Sequence, residues 1–288
     1  PFRIDRLLAN EDETRQLAMD LAMAVQPHDI VTLEGDLGSG KSTLARALIR
    51  AIAEDDRLEV PSPTFALVQP YDLKRLPVVH ADLYRVSSHD EIAELGWDEV
   101  SDKALLLVEW PDRLGGALSG DRLEIELSLV PGRGPNARSV VLTGHGAWAP
   151  RLARMTALRA FLDNAGWGGS LRRHLLGDAS SRSYERLLDG QRRAVLMNAP
   201  RKPDGPPVKN GLPYSRIAHL AEDMVPFVAM AEGLRDIGLS TPEIEAVDLD
   251  QGFLIIEDLG ADGVLRDGAP IAERYMAAVD ALALIHAR

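Results

Sequence analysis

Apolar positions over the first half of the chain switch between a period of two and a period near 3.6, and the switches mark its elements. Phe2–Leu7 reads as a short strand. Asn10 then stands where an N-cap belongs, ahead of Leu17, Leu21, Ala22 and Val25 on one helical face. Asp29–Glu34, with Ile30, Val31 and Leu33, predicts a buried strand that runs straight into Gly35-Asp36-Leu37-Gly38-Ser39-Gly40-Lys41-Ser42. Helical spacing resumes over Thr43–Ala53. Strand-like runs follow at Phe65–Gln69, Pro77–Leu83 and Ala104–Trp110. Two more, Arg122–Leu129 and Arg138–Thr143, flank Pro131-Gly132-Arg133-Gly134-Pro135 and predict a terminal hairpin-like pair. This order predicts an α/β class, a mixed sheet with antiparallel additions.

Gly144-His145-Gly146-Ala147-Trp148-Ala149-Pro150 is Gly/Pro punctuation and predicts a boundary, giving domains at 1–147 and 151–288. Beyond it the pattern predicts a helix over Met155–Asn164 and strands over Ser183–Leu188 and Ala194–Asn198. Asp189-Gly190 between those strands is a hairpin signal. A loop, Pro200–Pro213, leads to a long helical pattern ending at Ile237, a buried strand Gly252–Ile256 and an Ala/Leu-rich helix Ile271–Ala287. The second half therefore predicts an α+β domain. Two domains also fit 288 residues at roughly 150 per domain.

The absence of Cys excludes disulfides, thiolate metal sites and a cysteine nucleophile. The longest apolar runs, such as Ala104–Val108, fall far short of the roughly 18 residues of a spanning helix. Asp5, Glu11, Asp12 and Glu13 make the N-terminal stretch unlike a secretory signal. A cytoplasmic protein with no membrane partner is expected. Net charge is −12, and it is uneven: residues 1–150 hold 15 Lys/Arg against 25 Asp/Glu, residues 151–288 hold 17 against 19. An acidic first half repels a phosphate backbone, so tRNA or any nucleic acid is expected only through a partner.

Gly35-x-x-x-x-Gly40-Lys41-Ser42, between a strand and a helix, fits the P-loop pattern. Backbone N–H groups of Gly35, Asp36, Leu37, Gly38, Ser39 and Gly40 can turn in around phosphate oxygens. Lys41, Ser42 and Thr43 open the helix, with Lys41 directed to the β/γ-phosphates and the Ser42 hydroxyl to Mg²⁺. ATP and Mg²⁺ are the expected ligands. Such a site also needs an acid at a strand end. Asp82 follows Val78-Val79-His80-Ala81, and Glu109 follows Leu105-Leu106-Leu107-Val108. Spacing alone leaves open which of the two holds the metal. His80 reads as a hydrogen-bonded strand histidine as readily as a nucleotide neighbour, and Trp110 as a side chain packed at a sheet edge, with contact to a partner or nucleotide as the alternative. Arg85 is a candidate stabiliser of transferring phosphate, with a structural ion pair as the alternative.

Gly35–Ser42, Ser62-Pro63-Thr64-Phe65, His80-Ala81-Asp82-Leu83-Tyr84-Arg85 and Glu109-Trp110-Pro111 occur in an order and spacing that resemble the TsaE family. The resemblance covers residues 1–145. It implies a P-loop NTPase with a mixed sheet, hydrolysing ATP in concert with the TsaD–TsaB complex that installs threonylcarbamoyl on tRNA adenosine. It also implies that Ser42 and Glu109 hold Mg²⁺. Asp82 would orient or deprotonate water or support the metal, and Thr64 would lie in a switch segment near the γ-phosphate. The family usually has Thr at the P-loop hydroxyl and an aromatic residue between His and Asp. Here Ser42 and Ala81 stand there, and Ser keeps the ligand oxygen.

Gly177-Asp178-Ala179-Ser180-Ser181-Arg182-Ser183-Tyr184, the Asp189-Gly190 hairpin and Leu254-Ile255-Ile256-Glu257-Asp258-Leu259-Gly260 resemble the N-terminal lobe of aminoglycoside-phosphotransferase-like kinases, the cell-wall amino-sugar kinases above all. That resemblance implies a small antiparallel sheet with adenine at Glu257–Leu259. Met197 stands where such kinases carry a phosphate-pairing lysine, leaving Lys202 or Lys209 as candidate substitutes. The catalytic loop of such kinases would lie beyond Arg288. The second half is thus expected to be an incomplete kinase-like lobe. An amino-sugar or aminoglycoside kinase with a regulatory first domain is the alternative reading.

Overall fold

The computed structural model describes residues 1–86, 103–114, 120–176, 182–201, 204–218 and 223–287. The chain divides into two compact units, Pro1–Ala160 and Phe161–Arg288. The division falls inside a helix, whereas the Gly144–Pro150 stretch forms the end of one strand and the start of that helix.

In the first unit seven strands make one sheet: β1 (Phe2–Leu8), β2 (Ile30–Glu34), β3 (Val68–Tyr71), β4 (Val78–Asp82), β5 (Leu105–Glu109), β6 (Arg122–Leu129) and β7 (Arg138–His145). Their order is β1-β7-β6-β2-β5-β4-β3. The four central strands β6, β2, β5 and β4 are parallel, and β1, β7 and β3 add antiparallel pairings outside them. β4 and β5 are buried throughout, which explains why they read as continuous apolar runs rather than alternating ones. Because the central strands are parallel, their C-terminal ends, Glu34, Asp82 and Glu109, come to one edge of the sheet.

Two helices, α1 (Glu11–Ala24) and α2 (Lys41–Ala53), pack together on one face. Asn10 caps α1 as its sequence predicts: its side chain accepts from the Glu13 N–H, while Glu13 reaches back to the Ala9 N–H at 2.9 Å. Leu17, Leu21, Leu44, Leu48, Ile49 and Ile52 form the core of this layer with Leu33, Leu107, Ile125 and Leu142. A second apolar cluster on Val79, Ala81, Leu106 and Val108 packs beside Trp110 and Leu114. α3 (Trp148–Asn164) follows β7, and its Arg159 pairs with Asp20 of α1, a carboxylate that is almost fully buried.

The second unit carries an antiparallel sheet in the order β13-β14-β10-β9-β8: β8 (Leu171–Leu175), β9 (Ser183–Asp189), β10 (Arg192–Asn198), β13 (Ile244–Asp248) and β14 (Phe253–Glu257). β11 (Pro207–Lys209) and β12 (Leu212–Pro213) form a separate small hairpin. β9 and β10 join through Asp189-Gly190, with Gly190 in the left-handed region at φ 61°. The helical pattern before Ile237 is a single turn at Tyr214–Ile217 and α4 (Val225–Asp236), and α5 spans Ala272–His286. β8 and β13 answer to no expected strand: Leu-Arg-Arg-His-Leu and Ile-Glu-Ala-Val-Asp are short, and the buried Arg172 places its guanidinium on Glu185 at 2.6 and 2.9 Å. Met197 is 1% exposed and packs with Leu254, Ile256 and Met224 as core. Asp258 accepts from Arg186 at 2.7 Å. Gly177–Ser181 and Lys202 lie outside the described residues.

Candidate functional site

β2 ends at Glu34, and the chain closes a loop before α2 begins at Lys41. Gly35, Gly38 and Gly40 take φ of 133°, 78° and 108°, conformations that side chains oppose. At Gly35 a Cβ would also lie 2.1 Å from the Leu127 carbonyl oxygen, so only glycine lets the loop pass β6. Gly40 as N-cap offers no side-chain acceptor, so the opening N–H groups of α2 remain for a ligand. Ser39 is buried within the loop, and its Oγ has no hydrogen-bond partner among the described residues. Orphan donors around a concavity at a helix N-terminus suit a phosphate.

The Lys41 ammonium stands in this loop, donating to the carbonyls of Gly35 at 2.7 Å and Asp36 at 2.9 Å. It lies 3.9 Å from the centroid of the Trp110 ring, a cation–π contact. Burial lowers the Lys41 pKa from 10.5, outweighing the pull of Glu109, Asp82 and Asp36 in the other direction. Trp110, directly after a central strand, therefore packs at the C-terminal edge of the sheet and over the loop's lysine. It reaches that place by a left-handed backbone, φ 62°, and its ring packs tilted against Tyr84, with centroids 5.0 Å apart and 47° between the planes.

Both candidate carboxylates lie side by side. Asp82 and Glu109 are register partners at the ends of β4 and β5, 4% and 1% exposed. Glu109 accepts from the Ser42 hydroxyl at 2.9 Å on one oxygen and meets His80 Nε2 at 2.9 Å on the other. Asp82 accepts from the Thr64 hydroxyl at 2.8 Å and from the Tyr84 N–H at 3.0 Å. Ser62 Oγ lies 2.8 Å from Thr64 Oγ1, which ties the Ser-Pro-Thr segment to β4. His80 is 1% exposed, a strand histidine whose visible role is to hold Glu109.

Lys41, Ser42, Glu109, Asp82 and Thr64 thus meet at one end of the sheet. Arg85 does not join them: its guanidinium lies 5.3 Å from the ring of Phe65, itself 87% exposed. Leu37 and Thr43 are exposed on the loop and on the first turn of α2. Among the described residues no cluster of three His, Asp or Glu could hold a metal ion by itself. A hydroxyl with one or two carboxylates is a hard-oxygen set that fits Mg²⁺, which retains waters and shares phosphate oxygens. Sequence reasoning passed over Arg138 of β7. Its Nε donates to the Ser39 carbonyl at 2.6 Å and its Nη2 to the Gly38 carbonyl at 3.4 Å. Nothing in the sequence marks it, because 99 residues separate it from Ser39.

A model of the family described as "Threonylcarbamoyl adenosine biosynthesis protein TsaE" matches residues 8–134. The tRNA threonylcarbamoyladenosine biosynthesis protein TsaE of Rickettsia felis is 39% identical over 124 residues, 43% of this chain and 72% of the relative. An N-acetylmuramate/N-acetylglucosamine kinase of Caulobacter vibrioides is 40% identical over 146 residues, 46% of this chain, and the match spans only 40% of that kinase. The crystal structure of Bacillus subtilis YdiB aligns at 25% identity with a TM-score of 0.44, covering 54% of this chain and 95% of YdiB.

Proposed function

Because the chain belongs to the TsaE family, we propose that residues 1–147 form a Mg²⁺-dependent ATPase serving threonylcarbamoyladenosine modification of tRNA in concert with TsaD and TsaB. The observation that carries this reading is the convergence on the phosphate loop of two hydrogen-bonded chains, Ser42–Glu109–His80 and Thr64–Asp82. Lys41 supplies the ammonium for the β/γ-phosphate oxygens, and the loop's N–H groups bind the remaining oxygens. Mg²⁺ held by Ser42 and Glu109 would neutralise charge on the β- and γ-phosphates. His80 fixes the Glu109 carboxylate from behind. Asp82, with one oxygen bonded by Thr64 and the other by Tyr84, keeps lone pairs to orient an attacking water and accept its proton. Arg85 lies outside this cluster, and a role on transferring phosphate would need its stack on Phe65 to open.

With an acidic first half, tRNA is reached through the protein partners. Among the described residues no helix is long and apolar enough to cross a membrane. The test is Lys41→Ala: ATP turnover and complementation of the tRNA modification should both collapse. Normal modification with that variant would overturn the assignment.

A second reading concerns residues 151–288. The Caulobacter relative and the Ser183–Asn198 hairpin beside the buried strand Phe253–Glu257 favour a kinase-like lobe with adenine at Glu257–Leu259. Met197 lies within the core, so a phosphate-pairing cation there would have to come from another strand or loop. Phosphorylation of N-acetylmuramic acid by the full-length protein, absent from a Lys41-intact control lacking residues 151–288, tests it.

A further inference from the structure

The loop's backbone must be held open before phosphate arrives, and the helix behind it does this for only part of its length. Leu44 donates to the Gly40 carbonyl as the first helical bond, and Ser39 N–H turns back to Asp36. The peptides from Gly38 to Gly40 have no comparable partner in α2. They are met instead from β7. All four hydrogen bonds of the Arg138 guanidinium go to peptide carbonyls: Ser39 at 2.6 Å, Gly38 at 3.4 Å, and Pro135 and Ala137 of its own hairpin at 2.6 and 2.9 Å. The last two anchor the fork, and the first two grip the loop.

The grip has a direction. In a trans peptide the C=O and the following N–H point opposite ways. Turning the Ser39 carbonyl out to Arg138 therefore aims the Gly40 N–H into the concavity where an anion would lie. Gly40 has no Cβ to fix that plane, at φ 108°, and a Cβ there would sit 3.2 Å from Arg138 Nε. Arg138 also brings a positive charge against the loop, with no carboxylate paired to it among the described residues. β6 and β7 flank β2 on the side away from β5 and β4. Arg138 therefore acts on the loop from the side opposite Glu109, Asp82 and Thr64, where the γ-phosphate chemistry is proposed.

We infer that Arg138 is a positioning residue for nucleotide phosphate: it preorganises the Gly38–Gly40 backbone as an anion-binding cradle without touching the reacting atoms. This rests on the reading of the loop as a nucleotide site. The guanidinium fork is essential to it, because one ammonium cannot span the loop and hairpin carbonyls together.

The experiment is calorimetric titration of the full chain with Mg·ADP, alongside steady-state ATP turnover, for wild type, Arg138→Gln and Arg138→Lys. Loss of charged hydrogen bonds that preorganise a site is expected to weaken ADP binding by about tenfold or more in Arg138→Gln. KM for ATP rises in parallel while kcat stays within about threefold, since the opposite side of the loop is untouched. Arg138→Lys falls between the two. ADP affinity within about twofold of wild type in a folded Arg138→Gln protein overturns the inference, as does a loss in kcat with KM unchanged. If Arg138→Gln fails to fold, Arg138→Lys decides: wild-type ADP affinity there overturns it. A wild-type chain that binds no ADP would instead remove the nucleotide reading beneath it.

Discussion

Glu109→Gln separates what the fold needs from what the proposed chemistry needs. Glu109 is 1% exposed, and its two oxygens are held by Ser42 and His80, each at 2.9 Å. Taking a carboxylate out of water costs several kcal/mol, and two hydrogen bonds to the charged group return about 1.5–3 kcal/mol each. Glutamine has the same shape, fills the same space and carries no charge to desolvate. With the attraction of Lys41 also removed, the substitution should leave the ligand-free first unit within about 1 kcal/mol of wild type, its melting temperature within about 4 °C at this size. It should also remove the charged ligand proposed for Mg²⁺, lowering Mg²⁺-dependent ATP turnover by about a hundredfold or more. Thermal melts without nucleotide and a coupled phosphate-release assay read the two effects separately. A melting temperature lowered beyond that range with turnover retained would refute the reasoning, since Glu109 would then be an anchor for His80 and α2 and nothing more.

Two further outcomes follow from buried charge elsewhere. Glu185→Ala leaves the Arg172 guanidinium, 2% exposed, without its carboxylate in the second unit. It should cost about 3–5 kcal/mol in denaturant unfolding of that unit, and Arg172→Met with Glu185→Leu should recover most of the loss. At the end of β2, burial together with Glu124, Glu126 and Asp112 raises the Glu34 pKa above 4.5. The folded protein then binds more protons than the unfolded chain just above pH 4.5, so stability falls as pH rises through that window. Glu34→Gln should be the more stable protein at pH 7, with the difference closing as the pH approaches 4.5 in urea titrations.

What the sequence discloses and what it conceals divide along contact range. The phosphate loop, the Asn10 cap and the Asp189-Gly190 turn are local events, fixed by a few adjacent residues, and each forms where its residues stand. The carboxylates at the ends of β4 and β5 are legible for a related reason. An acid that closes a buried, mostly apolar run marks the last residue of a strand, and parallel pairing brings both ends to one edge. The contact of Trp110 with Lys41 is not legible in the sequence, because it depends on a left-handed backbone after Glu109, which no propensity favours for a bulky aromatic residue. The expected strand at Phe65–Gln69 begins later, at Val68, because Pro63–Leu67 closes as a turn with the Leu67 N–H on the Pro63 carbonyl. Leu67 is itself left-handed, at φ 62°, and its carbonyl accepts from the Asp82 N–H at 2.9 Å. That turn is what brings Thr64 onto the Asp82 carboxylate. Arg138 is the extreme case: its partners are backbone carbonyls, which carry no side-chain identity, on a loop 99 residues away. Residues that carry charge to a ligand announce themselves by type and spacing. Those that shape the backbone around it do so through peptide groups common to every residue, and become visible only once the strands are in register.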